Sequence, residues 1–248
     1  MATTIGSVDA QPSSARILWV TEEPPDRALG GGSIRQAHLF EALGSTFATD
    51  LLTIGRVGDE RVRGAAASIT ELPRRWPPHS SHPVGRRALD TSILLASRYP
   101  MALYPAGPAR RALSREITNR RGRYDLVCVE HETLAPLLGK ARGEPWLITL
   151  HHRLSAMVES GLARAPGRRQ RWFRGRDLQK AKRLERWTVR SYDRCIACSE
   201  EDANALEAVA DAEHPVTVIP NGVDLTLFRP GPVPAEPKVL LPGPRNAP

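Results

Sequence analysis

The stretch that most restricts the fold runs from residue 16 to residue 55. Arg16-Ile17-Leu18-Trp19-Val20-Thr21 reads as a strand whose centre, Ile17–Val20, is an unbroken apolar run, and unbroken rather than alternating apolarity suits a strand covered on both faces of its sheet. A loop then leads to Gly30-Gly31-Gly32. Ser33-Ile34-Arg35-Gln36 has the S-x-x-Q form of a capping box, which predicts a helix beginning there. Ile34, Ala37, Phe40 and Leu43 recur at helical spacing, and Gly44 supplies a stop. Asp50-Leu51-Leu52-Thr53-Ile54-Gly55 is a second strand. Strand, glycine loop, helix and strand make a βαβ unit, and such a crossover joins parallel strands.

The remainder continues the alternation. Ser68–Leu72, Tyr124–Val129, Trp146–Leu150, Cys195–Cys198 and Val216–Ile219 have strand character, and helices are predicted over about residues 86–97 and 109–120. A short helix ends at Gly139, and another opens at Ser199-Glu200-Glu201-Asp202, whose acids suit the positive end of a helix dipole. The last strand is stopped by Pro220, and Asn221-Gly222 is the pair best able to take positive φ in a turn. The expected fold is therefore α/β, a parallel sheet flanked by helices. Met1–Ser14 reads as a flexible leader without the layout of a secretory signal, and no apolar run reaches the roughly 18 residues that span a bilayer. Three cysteines cannot build a disulfide framework, which points to a reducing cytoplasm.

In open α/β sheets, ligands bind beyond the carboxyl ends of the strands. Four such ends carry polar or glycine groups: Gly30-Gly31-Gly32, Glu130-His131, His151-His152 and Ser199. The glycine loop is either a bare flexible turn or a place where backbone N–H groups approach phosphate, with a helix N-terminus behind them. It is not a dinucleotide fingerprint, because Arg35 stands where the last glycine of G-x-G-x-x-G would fall. His151 is either a structural strand-end histidine or a site residue. Cys195 and Cys198 lie three apart on a strand, so their thiols face opposite ways, and buried structural thiols are expected instead of a metal or redox site.

Net charge is +8, and its distribution matters more than its size. Between Arg164 and Arg190 eleven basic residues face only Asp177 and Glu185, so this segment holds the whole excess. It reads as the solvated cationic side of a helix, or as a membrane-docking patch in which Trp172 stands among Arg168, Arg169, Arg171 and Arg174. Nucleic acid is not expected as a partner, since no recognition motif accompanies the charge.

Val216-Thr217-Val218-Ile219-Pro220-Asn221-Gly222-Val223-Asp224, continuing to Phe228 and Pro230, resembles the V-x-V-I-P-N-G-V-D-x-x-x-F-x-P signature of family 4 glycosyltransferases of the GT-B fold. Thr149-Leu150-His151-His152-Arg153-Leu154-Ser155 resembles a T-x-H-N-x-E-S motif of one branch, with His152 in place of asparagine and Leu154 in place of glutamate. Asp193–Asp202 is similar to the family's A-D-x-V-x-A-V-S-E-x-D segment. The resemblance implies a Rossmann-like amino-terminal domain over residues 15–229, ending in the crossover to a donor-binding domain. After it come a Pro-rich linker and a stub of that second domain, residues 230–248, with the donor-binding domain itself absent or separately encoded.

The implied function is retaining transfer of a sugar from a nucleotide-activated donor to a saccharide or lipid-linked acceptor. The nucleotide-sugar is a substrate, and no cofactor or metal is implied. His151 would face the donor sugar, and Gly30, Gly31, Gly32, Asn221 and Gly222 would lie on the donor side. Glu130, His131, His152 and Ser199 are assigned to the acceptor side. The alternatives are a non-catalytic acceptor-binding module, or a membrane- or polyanion-binding protein of the same fold. The expected location is the cytoplasm, with peripheral contact to the inner face of the membrane.

Overall fold

The computed structural model describes residues 13–28, 30–73, 97–100, 107–139, 143–211, 214–225, 229 and 231. Most of the expected leader, the expected helix near 86–97 apart from residue 97, and the linker and stub from residue 230 apart from residue 231 lie outside the described residues. The chain forms β1 (Ser13–Thr21), α1 (Gly31–Gly44), β2 (Phe47–Ile54), α2 (Glu60–Ala65), β3 (Ser68–Leu72) and α3 (Gly107–Arg120). It continues through β4 (Leu126–Glu130), α4 (Ala135–Leu138), β5 (Trp146–Leu150), α5 (Leu154–Ala163), α6 (Arg168–Ser191), β6 (Arg194–Ala197), α7 (Glu200–Ala210) and β7 (Thr217–Val218).

The strands make one sheet in the order β3-β2-β1-β4-β5-β6-β7, and every neighbouring pair is parallel. This is the Rossmann-like α/β architecture expected from the βαβ reading. The order reverses between β1 and β4, because the chain first builds outward through β2 and β3 and then returns to the other side of β1. Such a reversal leaves a crevice at the carboxyl ends of the two strands, since their following loops turn to opposite faces.

The unbroken apolar strands are covered on both sides. Ile17, Trp19 and Leu51 pack with Ala37 and Phe40 of α1 and Val62 of α2. The alternate residues Leu18, Val20 and Leu52 join Leu113 and Ile117 of α3 and Ala203 and Leu206 of α7 on the other face. Trp19 meets Phe40 edge-on, with ring centroids 5.8 Å apart. A third small cluster, Leu154, Ala181 and Leu184, seats α5 on α6.

The local reading needs four corrections. Helix α1 starts at Gly31 with Gly30 as its cap and without a side-chain cap bond, so the capping box at Ser33 is not made. Ser33 is buried, and its hydroxyl donates to the Pro24 carbonyl at 2.6 Å and accepts the Asp26 amide at 2.9 Å. Gln36 instead accepts the Thr21 hydroxyl at 2.7 Å. Both side chains are committed to satisfying the loop after β1, where buried backbone groups need partners. Neither Asn221 nor Gly222 takes positive φ; this segment is held by tertiary contacts described below. Helices α2 and α5 add to the elements expected: α2 is only six residues long, whereas Leu154, Met157, Val158 and Leu162 of α5 do recur at helical spacing. Finally, β7 has two residues rather than four, as it pairs on one side alone at the sheet edge.

Candidate functional site

A cleft of about 470 Å³ lies at the switch between β1 and β4. Its lining includes Thr21 from the end of β1, Gly30, Gly31 and Gly32 from the start of α1, His131 after β4, His151 and His152 after β5, and Asn221 after β7. Residues scattered over 200 positions of sequence meet here because parallel strands all deliver their carboxyl ends to one edge.

At the back of the cleft, Nε2 of His151 is 2.8 Å from Oε2 of Glu130. Glu130 is 1% exposed, and its Oε1 accepts the Thr149 hydroxyl at 2.7 Å. The carboxylate is thus held from two sides on neighbouring strands, and it orients the imidazole. With Nε2 committed to Glu130, Nδ1 of His151 faces the glycine loop: a Cβ on Gly32 would lie 3.7 Å from it.

His131 occupies φ +94°, a conformation a residue with a side chain adopts at a cost of about 1–3 kcal/mol. Its amide donates to the Thr149 carbonyl at 3.2 Å, which extends the sheet bonding one residue beyond β4. The result is to stack its ring on His151, with centroids 5.5 Å apart and planes 22° apart, and to set His152 edge-on at 5.5 Å.

Beneath these rings lies Glu132, which is 3% exposed. Nε2 of His152 stands 3.2 Å from its Oε1, and Nδ1 of His131 stands 3.6 Å from its Oε2. Neither oxygen has a partner at hydrogen-bond geometry. Burial pushes the Glu132 carboxyl up to about 8; the nearby amides of Glu132 and His151 offset this only in part, and the charges of Glu185 and Glu22 add to it. Burial also lowers His152, and His151 beside it acts in the same direction.

The glycine loop leaves space instead of filling it. Gly30, Gly31 and Gly32 have no positive φ, so their conformation does not require glycine. A Cβ on Gly30 or Gly31 would touch nothing within 4 Å, and one on Gly32 only His151. The N-terminus of the 14-residue helix α1 opens at this loop with no side-chain cap and no acid in its first turn. Free N–H groups and the positive end of the dipole therefore face the cleft, an arrangement that receives anions.

Arg35 closes the far wall. It is 8% exposed, and its guanidinium donates to the carbonyls of Ile219 (2.6 Å) and Pro220 (2.9 Å) and to Oδ1 of Asn221 (3.1 Å). These bonds tie the segment after β7 to α1.

Among the residues singled out from sequence, Gly30, Gly31, Gly32, His131, His151, His152 and Asn221 converge on the cleft. Glu130 sits behind His151 rather than in the lining. Ser199 caps α7, accepting the Asp202 amide at 3.2 Å, and Gly222 lies beyond the lining. Cys195 is buried in the core and Cys198 half-buried at the cleft, both as free thiols. Glu132 and Arg35 are the residues that sequence reasoning passed over. A charged residue directly after a strand, and an arginine where a fingerprint glycine would fall, were the available signals. The cationic patch is realised as α6: Leu178, Ala181, Leu184 and Thr188 are buried, while Arg168, Arg169, Arg171, Arg174 and Trp172 are exposed. Among the described residues no helix is long and apolar enough to cross a membrane.

No curated protein matches the sequence. Two solved structures are similar in fold at low identity. Medicago truncatula UGT71G1, complexed with UDP-glucose, is 12% identical with a TM-score of 0.47, over 88% of this chain and 54% of that one. Sucrose-phosphate synthase from Thermosynechococcus elongatus is 14% identical with a TM-score of 0.41, over 84% of this chain and 90% of that one. The chain thus spans about half the length of the first of these. The family model of Glycosyltransferase Family 4 matches residues 65–227, well over half of the chain. The chain belongs to glycosyltransferase family 4.

Proposed function

We propose that this chain forms the amino-terminal half of a retaining, nucleotide-sugar-dependent glycosyltransferase acting on a saccharide or lipid-linked acceptor. The observation that carries the reading is the meeting of Gly32 with His151 across the cleft. The uncapped start of α1 would receive the donor diphosphate, because its amides are preorganised and cost no rearrangement as charge develops on the leaving group. Orientation of His151 by Glu130 would present Nδ1 to the sugar. His131, His152 and the open side of the cleft would take the acceptor.

The described residues supply one wall, and transfer requires donor and acceptor held together away from water. We assign the opposing wall to a donor-binding domain, on the same polypeptide or on a separate one. The test is release of nucleoside diphosphate from a panel of donors, by the 248-residue chain alone and then with a family donor-binding domain fused or added in trans. Turnover is expected only in the second case, and His151→Ala should reduce it roughly 100-fold. Turnover in neither case, or turnover indifferent to His151→Ala, would count against the reading.

A second reading concerns α6. Trp172 is 52% exposed, with the Arg176 guanidinium 5.1 Å from its ring and Arg168, Arg169, Arg171 and Arg174 exposed around it. That combination favours peripheral docking on an anionic membrane, which would place the protein at the inner face. Binding to anionic vesicles that falls steeply with salt, with little binding to neutral ones, is the expected result. Equal binding to both kinds would leave α6 as a solvated face.

A further inference from the structure

Arg35 sits one turn along α1 from Gly31 and lines the cleft onto which the start of that helix opens. An arginine buried to this depth is normally paired with an acid. Among the described residues no acid pairs with Arg35, and its acceptors are the uncharged carbonyls of Ile219 and Pro220 and Oδ1 of Asn221. Its Nε is buried without a partner, so these three bonds alone fix the guanidinium. Two of them hold backbone. The third, at 3.1 Å, falls on a side chain that is itself exposed in the cleft.

That third bond decides which way Asn221 points. A guanidinium only donates, so the atom facing it is the carboxamide oxygen, and both N–H groups of Nδ2 lie on the other side of the carboxamide. Nδ2 has no partner among the described residues. The cleft that Asn221 lines is the one that receives the uncapped amides of α1. Hydrogen-bond donors fixed in advance around one space hold an anion there without rearranging.

We propose that Arg35 is a positioning residue. It holds Asn221 with its carboxamide N–H groups turned into the cleft, where they and the start of α1 bind the same pyrophosphate group. The inference rests on the nucleotide-sugar reading above, to which it adds a further donor to the diphosphate and the side chain that aims it. Arg35 acts through Asn221 and not by contact with the ligand.

The test is titration of the full 248-residue chain with inorganic pyrophosphate, followed by phosphorus NMR. Saturable binding is expected in wild type. Asn221→Ala should weaken it roughly tenfold, the size of one hydrogen bond to a charged group. Arg35→Lys keeps the charge but not the fork, and should weaken binding by a similar factor. Combined with Asn221→Ala it should weaken binding no further, because the amide through which it acts is gone. If Arg35→Lys does not fold, Asn221→Asp at the exposed position decides the matter: it keeps an acceptor for Arg35 but offers no N–H, so binding should be lost while the melting temperature holds. The proposal is overturned by a wild type that does not saturate, by affinity unaltered in Asn221→Ala or Asn221→Asp, or by an equal effect of Arg35→Lys with and without Asn221. The measurement needs no turnover, so its failure is distinct from a failure of the transferase reading, which is judged by release of nucleoside diphosphate.

Discussion

Nε2 of His151 lies 2.8 Å from Oε2 of Glu130, and the strand that ends in Glu130 pairs directly with the strand that ends before His151. The contact is therefore set by sheet register, not by loop conformation. Glu130→Gln keeps the shape but removes the charge, and a hydrogen bond to a charged group contributes about 1.5–3 kcal/mol. In the proposed assembly with a donor-binding domain this variant should lose roughly 10- to 100-fold in turnover while its circular dichroism and melting temperature stay near wild type. Unchanged turnover would show that Glu130 does not position the imidazole.

Arg35 commits its guanidinium to three acceptors in the segment after β7. A lysine cannot reproduce that fork, so Arg35→Lys should behave more like Arg35→Ala than like a conservative change. Amide hydrogen exchange across residues 216–222 should accelerate in both variants, with little change in β1 or β2. Protection that survives Arg35→Ala would mean the segment is held by β7 pairing alone.

The cysteines should differ in reactivity. Burial, with Glu130 nearby, pushes the Cys128 thiol up to about 12, and burial does the same for Cys195. Cys198 is raised less, by burial first, and lines the cleft. The thiolate is the nucleophile, so iodoacetamide at pH 8 should label Cys198 first and the other two only as fast as the protein unfolds. The sign of the pH linkage follows from raised values. Stability from the two neutral thiols is complete below about pH 8.5 and is lost as pH rises through about 12. A denaturation midpoint insensitive to pH above 9 in wild type would contradict it.

Asp59 works at the other end of the scale. Its Oδ1 caps α2 by accepting the Arg61 amide at 3.0 Å, and its Oδ2 accepts the Arg27 guanidinium at 2.7 Å. Burial acts to raise this carboxyl, but the bonds from Arg27 and the capped amides outweigh it and hold it below the usual range. Its contribution is present above the ordinary carboxylate range and is lost as pH falls through the depressed value. Asp59→Ala should cost about 1–2 kcal/mol at pH 7 by urea unfolding. The difference from wild type should shrink towards pH 2, and a constant difference across pH would refute the ion-pair account.

What the sequence by itself determined is everything that rests on local periodicity and on strand ends. Unbroken apolar runs such as Ile17–Val20 demand a sheet covered on both faces, and a glycine loop leading into an amphipathic helix demands a parallel crossover. The edge where Gly30–Gly32, His131, His151 and His152 collect follows from that alone, because parallel strands deliver their ends to one side. The order of the sheet, the pairing of β4 with β5, and hence which carboxylate reaches which imidazole, depended on register between segments far apart in the chain. Ser33 and Gln36 show the limit clearly: their spacing satisfies a capping rule, yet burial against the loop after β1 offers both side chains other partners. Glu132 shows it again. Whether a carboxylate after a strand meets solvent, a cation or two histidines is decided by the left-handed turn at His131 and by what packs beneath it, and no local pattern encodes either.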